Sequence, residues 1–300
     1  MSTVLSGTRI LSLALNLPGP AALMRCRKMG ATCVKIEPPS GDPMSHYNKT
    51  AYDELTEGVK VLSADLKTPE GQKVLHRELA RTHVLLTSFR PSALTRLGLE
   101  WKTLHAAYPE LSHVAIVGAP GDAGEEPGHD LTYLASHGLV PGLELPATLY
   151  ADMGGSLMAS EAVLKAALSQ GERYAGSGQT HPQGLFLEVA LSDAAAYLAL
   201  PRRWGLTQAS GAVGGAHAGY RVFPCKDGRV AVAALEPHFA AALCVAAGLE
   251  PSDMRAMFAP ATHQAVGAFF LTRTCAELDQ LGVDRDLPLL TMPQPATLQS

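Results

Sequence analysis

The sequence predicts an open, doubly wound α/β domain with a parallel sheet, followed by a smaller α+β domain. Three observations carry this. Short strand-like runs alternate with helical stretches over the first two thirds of the chain. The early runs are largely apolar, as in a parallel sheet covered on both faces. Past Gly219 the rhythm changes to two runs around an Asp-Gly turn, and then to helices alone.

Taken in order, residues 8–15 read as the first strand, broken by Pro18-Gly19-Pro20. Residues 21–29 carry helix formers, with Gly30 where a C-terminal cap belongs. Cys33-Val34-Lys35-Ile36 is the second strand, stopped by Pro38-Pro39. Residues 59–62 form the next. Thr68 is the expected N-cap of a helix reaching about residue 81, with Pro69 at its first position. Residues 83–87 and 111–117 are strands, with short helices at 92–97 and 101–108 between them. Residues 121–149 read as loop with some helix between Leu131 and Gly138. A strong helix covers 156–169, an exposed polar turn 171–183, a strand 185–189 and a helix 193–200. Residues 220–223 and 229–233 pair around Asp227-Gly228, and helices follow at 237–247, 263–270 and 275–281. The large domain is thus residues 1–208, the linker 209–218 and the small domain 219–300.

Composition excludes several classes. Hydrophobic residues make up 47% of the 300, enough for a sizeable core, and the net charge is -4 with no long basic run, which argues against nucleic acid. The five cysteines (Cys26, Cys33, Cys225, Cys244, Cys275) include no C-x-x-C pair and fit free thiols in a reducing compartment. The N-terminal segment carries Arg9 in its middle and lacks the order of a signal peptide. No apolar run is long enough to span a bilayer. A cytoplasmic protein is expected. No His/Cys group has metal-ligand spacing, no Gly-x-Ser-x-Gly elbow is present, and neither a phosphate loop nor a dinucleotide fingerprint occurs.

Three distant segments carry proton chemistry: Gly128-His129-Asp130, Ala151-Asp152-Met153-Gly154-Gly155 and Leu235-Glu236-Pro237-His238-Phe239. In His129, Asp152 and Glu236 they offer an imidazole and two carboxylates, the groups that move a proton at a carbon next to a carbonyl. Read alone, His129 is one of eleven histidines and fits an ordinary loop residue. Asp152 fits the N-cap of the helix that follows. The amides of Gly154 and Gly155 are candidates to hold a developing enolate oxygen. Glu236 reads as an exposed strand-end charge. Met153 and Met158 near Asp152 suit an adaptable acyl surface, although helix-core packing is the expected role.

The chain resembles the family III CoA transferases, and within them the α-methylacyl-CoA racemase branch. The resemblance rests on Gly7-Thr8-Arg9, Pro18-Gly19-Pro20, the run from Gly30 to Pro39, Ala64-Asp65-Leu66-Lys67, Phe89-Arg90-Pro91 and Leu97-Gly98-Leu99. It continues in Gly128-His129-Asp130-Leu131-Thr132-Tyr133, Asp152-Met153-Gly154-Gly155, Gly214-Gly215-Ala216, Asp227-Gly228-Arg229 and Glu236-Pro237. No single motif is decisive; their order and number make the match specific.

The resemblance implies a Rossmann-like large domain, an acyl-CoA substrate, no cofactor beyond that coenzyme A, no metal, and a homodimer. It implies that His129 and Asp152 act as bases on opposite faces of the α-carbon, with Glu236 orienting His129. It places Ser63, Ala64, Asp65, Leu66, Lys67, Arg90, Gly128, Tyr133, Gly154 and Gly155 around the CoA. Racemase-like relatives carry an arginine where this chain has Pro38, which leaves Lys35 and Lys60 as alternative phosphate partners. Members of the family also run on beyond the segment matching Leu287 to Met292, so the return segment of the interlocked dimer is expected to be reduced. Racemisation is the first expectation. CoA transfer with Asp152 as nucleophile is the second, and a catalytically degenerate CoA-binding homologue the third.

Overall fold

In the computed structural model, which describes residues 3–176, 183–250 and 254–294, the chain divides into two units, Met1–Ala199 and Leu200–Ser300. The first unit runs β1 (Arg9–Ser12), α1 (Pro18–Lys28), β2 (Thr32–Glu37), α2 (Pro43–Tyr47), α3 (Lys49–Thr56), β3 (Lys60–Ser63), α4 (Pro69–Leu79), β4 (Val84–Thr87), α5 (Pro91–Arg96) and α6 (Trp101–Ala107). It continues with β5 (Ser112–Val117), α7 (Asp130–Ser136), α8 (Tyr150–Gly176), β6 (Phe186–Ala190) and α9 (Leu191–Leu198). The six strands pair in parallel in the order β3-β2-β1-β4-β5-β6. The winding therefore reverses between β1 and β4, as in a doubly wound sheet.

Neighbouring residues of a strand point to opposite faces. Ile10 of β1 joins Val84, Leu86 and Val114 against Leu23 and Cys26 of α1 and Ala159, Val163 and Ala166 of α8. Leu11 faces the other way and joins Val34, Ile36 and Leu85 against Leu75 and Leu79 of α4 and Leu104 of α6. A sheet covered on both faces needs apolar residues at successive positions, and β4 and β5 are buried throughout. Each fully buried Leu or Val there contributes about 1.5–3 kcal/mol. The edge strand β3 is mostly exposed and opens with Lys60, a charge that discourages further pairing.

The local signals act as expected at several ends. Thr68 Oγ1 accepts the Gly71 N–H at 3.1 Å, with Pro69 leading α4. Gly30 follows α1 at φ +100°, a left-handed conformation that only glycine adopts without strain. Pro18-Gly19-Pro20 differs from expectation: it begins α1 rather than preceding it, because proline suits the first helical turn. The short helices α2 and α3 have no counterpart in the sequence reading. Each starts at a polar cap, Asp42 accepting from Met44 N–H and Asn48 from Ala51 N–H.

The second unit holds α10 (Leu200–Arg203), β7 (Tyr220–Pro224), β8 (Arg229–Ala233), α11 (Pro237–Ala246), α12 (Pro260–Leu271), α13 (Cys275–Arg285) and β9 (Leu289–Met292). The β7–β8 hairpin pairs antiparallel around the Asp227-Gly228 turn, and β9 adds a third strand that the sequence did not announce. Phe223, Val230 and Val232 pack against Leu243 of α11, Val266 and Phe270 of α12, and Leu278 of α13. The expected polar turn at 171–183 is in part helix, since α8 continues to Gly176, and residues 177–182 lie outside the described residues. Among those described, no helix is long and apolar enough to cross a membrane.

Candidate active site

Three parallel strands end at one cavity of about 250 Å³. Asn16 reaches it after β1, Ser88, Phe89 and Arg90 after β4, and Gly118 after β5. This is the carboxyl edge of the sheet beside the reversal of winding, where open α/β sheets bind ligands. Gly128, His129 and Tyr133 enter from the start of α7, and Asp152 from the start of α8.

The Asn16 backbone has φ +63°, uncommon for a residue with a side chain. Its N–H donates to both carboxylate oxygens of Asp42, at 3.1 and 3.2 Å. Asp42 is buried and pairs with Lys35 Nζ at 2.5 Å, while Lys35 reaches Glu37 at 2.8 Å. The Tyr52 hydroxyl donates to Glu37, and burial followed by the Glu37 charge pushes that phenol up to about 12. This network corrects one expectation. Lys35 is fully buried between two carboxylates, out of reach of a phosphate at the surface.

His129 is the extended N-cap residue of α7, with its side chain exposed. The Thr132 hydroxyl accepts its N–H at 3.0 Å and donates to its carbonyl at 2.7 Å, which fixes the backbone where the imidazole leaves it. Gly128 allows this approach, because a Cβ there would stand 2.6 Å from the Tyr133 hydroxyl. Gly118 is similarly crowded, its Cβ position being 2.3 Å from that oxygen. Tyr133 is thus wedged between two glycines. Burial pushes its phenol up, the Asp152 charge adds to this, and Arg90 opposes it.

Asp152 does not cap α8. The helix begins at Tyr150, ahead of the expected start, so Asp152 sits in its first turn. The acceptor is Asp130, a buried carboxylate whose Oδ1 takes the Asp152 N–H at 2.9 Å. Sequence reasoning missed this role; Asp130 beside His129 in the same motif was the available signal. The Asp152 carboxyl is pushed up to about 6, by burial first and the Asp130 charge second, with His129 opposing. A carboxyl near neutrality is suited to giving and taking a proton.

Gly154 and Gly155 lie inside α8, not in a turn, and neither lines the cavity. Amides beyond the first four of a helix are spent on the preceding turn, so these two are not free donors for an enolate. They serve packing against α9. A Cβ on Gly154 would meet Ala194 Cβ and Leu198 Cδ1 at 3.3 Å, and one on Gly155 would meet Leu191 Cδ2 at 2.3 Å. Met158 packs on the core, as expected of a helix residue, whereas Met153 is exposed.

A second cavity of about 710 Å³ shares Phe89 with the first and is lined by Leu66, Lys67, Gln72, Arg96 and Leu97 among others. Of the 63–67 run, Leu66 and Lys67 reach it. Ser63 ends β3, Ala64 is buried, and Asp65 builds the turn by accepting the Lys67 N–H at 3.0 Å. Arg96 was not foreseen. Glu236 is in the second unit, ahead of Pro237 as the N-cap residue of α11, and its side chain makes no cap bond.

Comparison with known proteins gives a consistent family. The family described as CoA-transferase family III matches residues 5–297. The cinnamoyl-CoA:phenyllactate CoA-transferase of Clostridium sporogenes is 34% identical over 155 residues, 47% of this chain and 37% of that protein. The chain therefore spans well under half of that relative's length. The α-methylacyl-CoA racemase of Mus musculus is 29% identical over 96% of this chain and 78% of its own length. Among solved structures, a hypothetical protein from Mycobacterium tuberculosis superposes with a TM-score of 0.80 at 22% identity, covering 95% of this chain and 83% of that one. A CaiB/BaiF family protein from Brucella suis gives 0.79 at 20% identity, covering 99% and 85%. These structures share the fold.

Proposed function

The chain belongs to CoA-transferase family III, by a match over residues 5–297, and from that premise we propose that it inverts the α-carbon of a 2-methylacyl-CoA thioester. The observation that carries this reading is a single cavity lined by both His129 and Asp152, with the Asp152 carboxyl near neutrality. One of the two takes the α-proton, and the electron pair moves into the thioester carbonyl as an enolate. The other returns a proton to the opposite face. Nothing is oxidised, and the product differs from the substrate only in configuration.

The enolate oxygen needs donors that are strongest as charge develops. With the Gly154 and Gly155 amides excluded, the Tyr133 phenol and the Arg90 guanidinium are the side chains of the cavity suited to it. The CoA nucleotide is assigned to the neighbouring cavity, where Lys67 and Arg96 supply positive charge. The family resemblance adds Glu236 to the residues of the reaction, which Glu236→Gln tests by itself. A homodimer belongs to the same reading and is tested by light scattering.

A second reading is favoured by the transferase relative and by Asp152 itself. Its carboxylate attacks the thioester, an aspartyl anhydride forms and CoA thiolate leaves. The thiolate then attacks the Asp152 carbonyl and frees the donor acid. The acceptor carboxylate displaces CoA to form a second anhydride, and CoA attacks the acceptor carbonyl, freeing the Asp152 carboxylate.

Incubation with a 2-methylacyl-CoA in deuterium oxide separates the two. Deuterium entering the α-position with loss of chirality, absent in Asp152→Ala, supports racemisation. No exchange, with CoA transfer once a free acid is added, moves the assignment to the transferase. Binding with neither activity leaves a degenerate homologue.

A further inference from the structure

The hairpin loop of the second unit brings together two cysteines that lie fifty positions apart in sequence. Cys225 ends the β7 side of the loop, Asp227 sits at its turn, and Cys275 is the first residue of α13. The Cys225 and Cys275 sulfurs are 3.6 Å apart. Asp227 Oδ1 lies 4.0 Å from the Cys225 sulfur and accepts the Cys275 N–H at 2.7 Å. One ligand atom from each of the three residues falls within 4.8 Å of the others.

We propose that Cys225, Asp227 and Cys275 form a binding site for a thiophilic divalent cation, zinc in the first instance. Two thiolates bound tetrahedrally to zinc at about 2.3 Å hold their sulfurs about 3.8 Å apart, close to the spacing of this pair. A thiolate and a carboxylate oxygen on the same ion stand roughly 3.5 Å apart, so Asp227 closes by only about half an ångström. Its side chain is exposed, with Oδ1 already held against the start of α13 by the Cys275 N–H. Three protein ligands leave a fourth position for water or an outside ligand. The Met292 carbonyl, 4.0 Å from the Cys275 sulfur, borders the site.

The surroundings fit such a clip. Any side chain at position 228 would stand 2.6 Å from the Cys275 sulfur, so Gly228 is what lets α13 begin against the loop. Without a cation the Cys275 thiol stays protonated. Burial first, then Cys225 and Asp227, push the Cys275 thiol up to about 11. Binding releases both thiol protons and forms two metal–sulfur bonds, with no electron transferred. The complex carries one net negative charge, and Lys226 in the same loop partly offsets it. Affinity therefore rises steeply with pH. The fifty-residue separation explains why ligand spacing in the sequence gave no signal.

The test uses the full chain, reduced and freed of metal, titrated with cobalt(II) and then with zinc(II). The expected result is one equivalent of cobalt with intense thiolate-to-cobalt absorption and tetrahedral d–d bands, bleached by zinc, and a melting temperature raised by several degrees. Cys275→Ser abolishes the absorption, Cys244→Ser keeps it, and Asp227→Asn weakens binding at least tenfold with unchanged circular dichroism. Three results would overturn the proposal: no thiolate absorption in the reduced protein, absorption that survives Cys275→Ser, or undiminished binding in Asp227→Asn. Asp227→Asn keeps the test decisive if Cys275→Ser fails to fold.

Discussion

Asp130 Oδ1 accepts the backbone N–H of Asp152 at 2.9 Å, so one buried carboxylate both starts the long helix α8 and stands beside the carboxyl at its first turn. The same contact that fixes Asp152 in space makes its ionisation harder. Position and acidity are set together.

Replacing Asp130 separates the two effects. Asp130→Asn keeps an oxygen for the amide but removes the charge, so the Asp152 carboxyl falls from about 6 toward the usual carboxylate range. The acid limb of the pH–rate profile should move down, with the rate at neutral pH reduced less than in Asp130→Ala, which also loses the acceptor. An unmoved limb in Asp130→Asn would mean that Asp130 contributes only geometry.

Stability against pH carries two opposed signals. Asp152 has a folded pKa of about 6, above its unfolded value of about 3.9, so the folded state holds its proton more tightly. Its contribution is full below the unfolded value and declines as pH rises through about 6. Asp152→Asn should therefore be inactive yet more stable at pH 7, by about 1–2 kcal/mol in urea titrations. His113 works the other way. Burial lowers it from 6.5 to about 4 beside Thr87, so stability is full above 6.5 and falls as pH drops toward 4. His113→Gln should flatten that acid loss, worth about 3 kcal/mol in the wild type.

Glycine replacements distinguish packing from catalysis. Gly155→Ala drives a methyl into Leu191, and a loss of about 1–3 kcal/mol is expected by thermal or urea unfolding. Gly128→Ala meets the Tyr133 ring instead, where it displaces the loop that carries His129. That variant should keep its melting temperature within a few degrees and lose about 10–100-fold in kcat/KM. Equal stability losses in both variants would argue against this division.

Lys35→Met leaves Glu37 and Asp42 as buried charges without a counter-ion. A loss of about 3–5 kcal/mol is expected. Because Asp42 also holds the Asn16 N–H at the cavity edge, KM for the thioester should rise alongside. Lys60→Met, on the exposed edge strand, should leave stability unchanged.

The sheet was legible because Ile10-Leu11, Val84-Leu85-Leu86 and Val114 announce strands buried on both faces. The caps Thr68 and Gly30 were legible because each acts within a few residues of itself. What escaped notice depends on contacts between distant segments. Gly154 and Gly155 resemble a ligand-binding turn until α9 is packed against them. Lys35 resembles a surface charge until Asp42 folds over it. Asp130 resembles a spectator until α8 begins at Tyr150, twenty residues later in the chain. The strand β9 is four residues long, and its pairing with β8 supplies what its own sequence lacks.

The helix that carries Asp152 is also the one that fills the core with Ala159, Val163 and Ala166. From Asp152 to Val163 the rod is roughly 16 Å long at 1.5 Å per residue. Such a rod behaves as a lever whose fulcrum lies in the apolar interior. A small tilt at Val163 becomes a larger sideways swing at the carboxyl, and proton transfer is steep in distance. Substitutions remote from any ligand can thus surface as slow enzymes rather than as unstable ones.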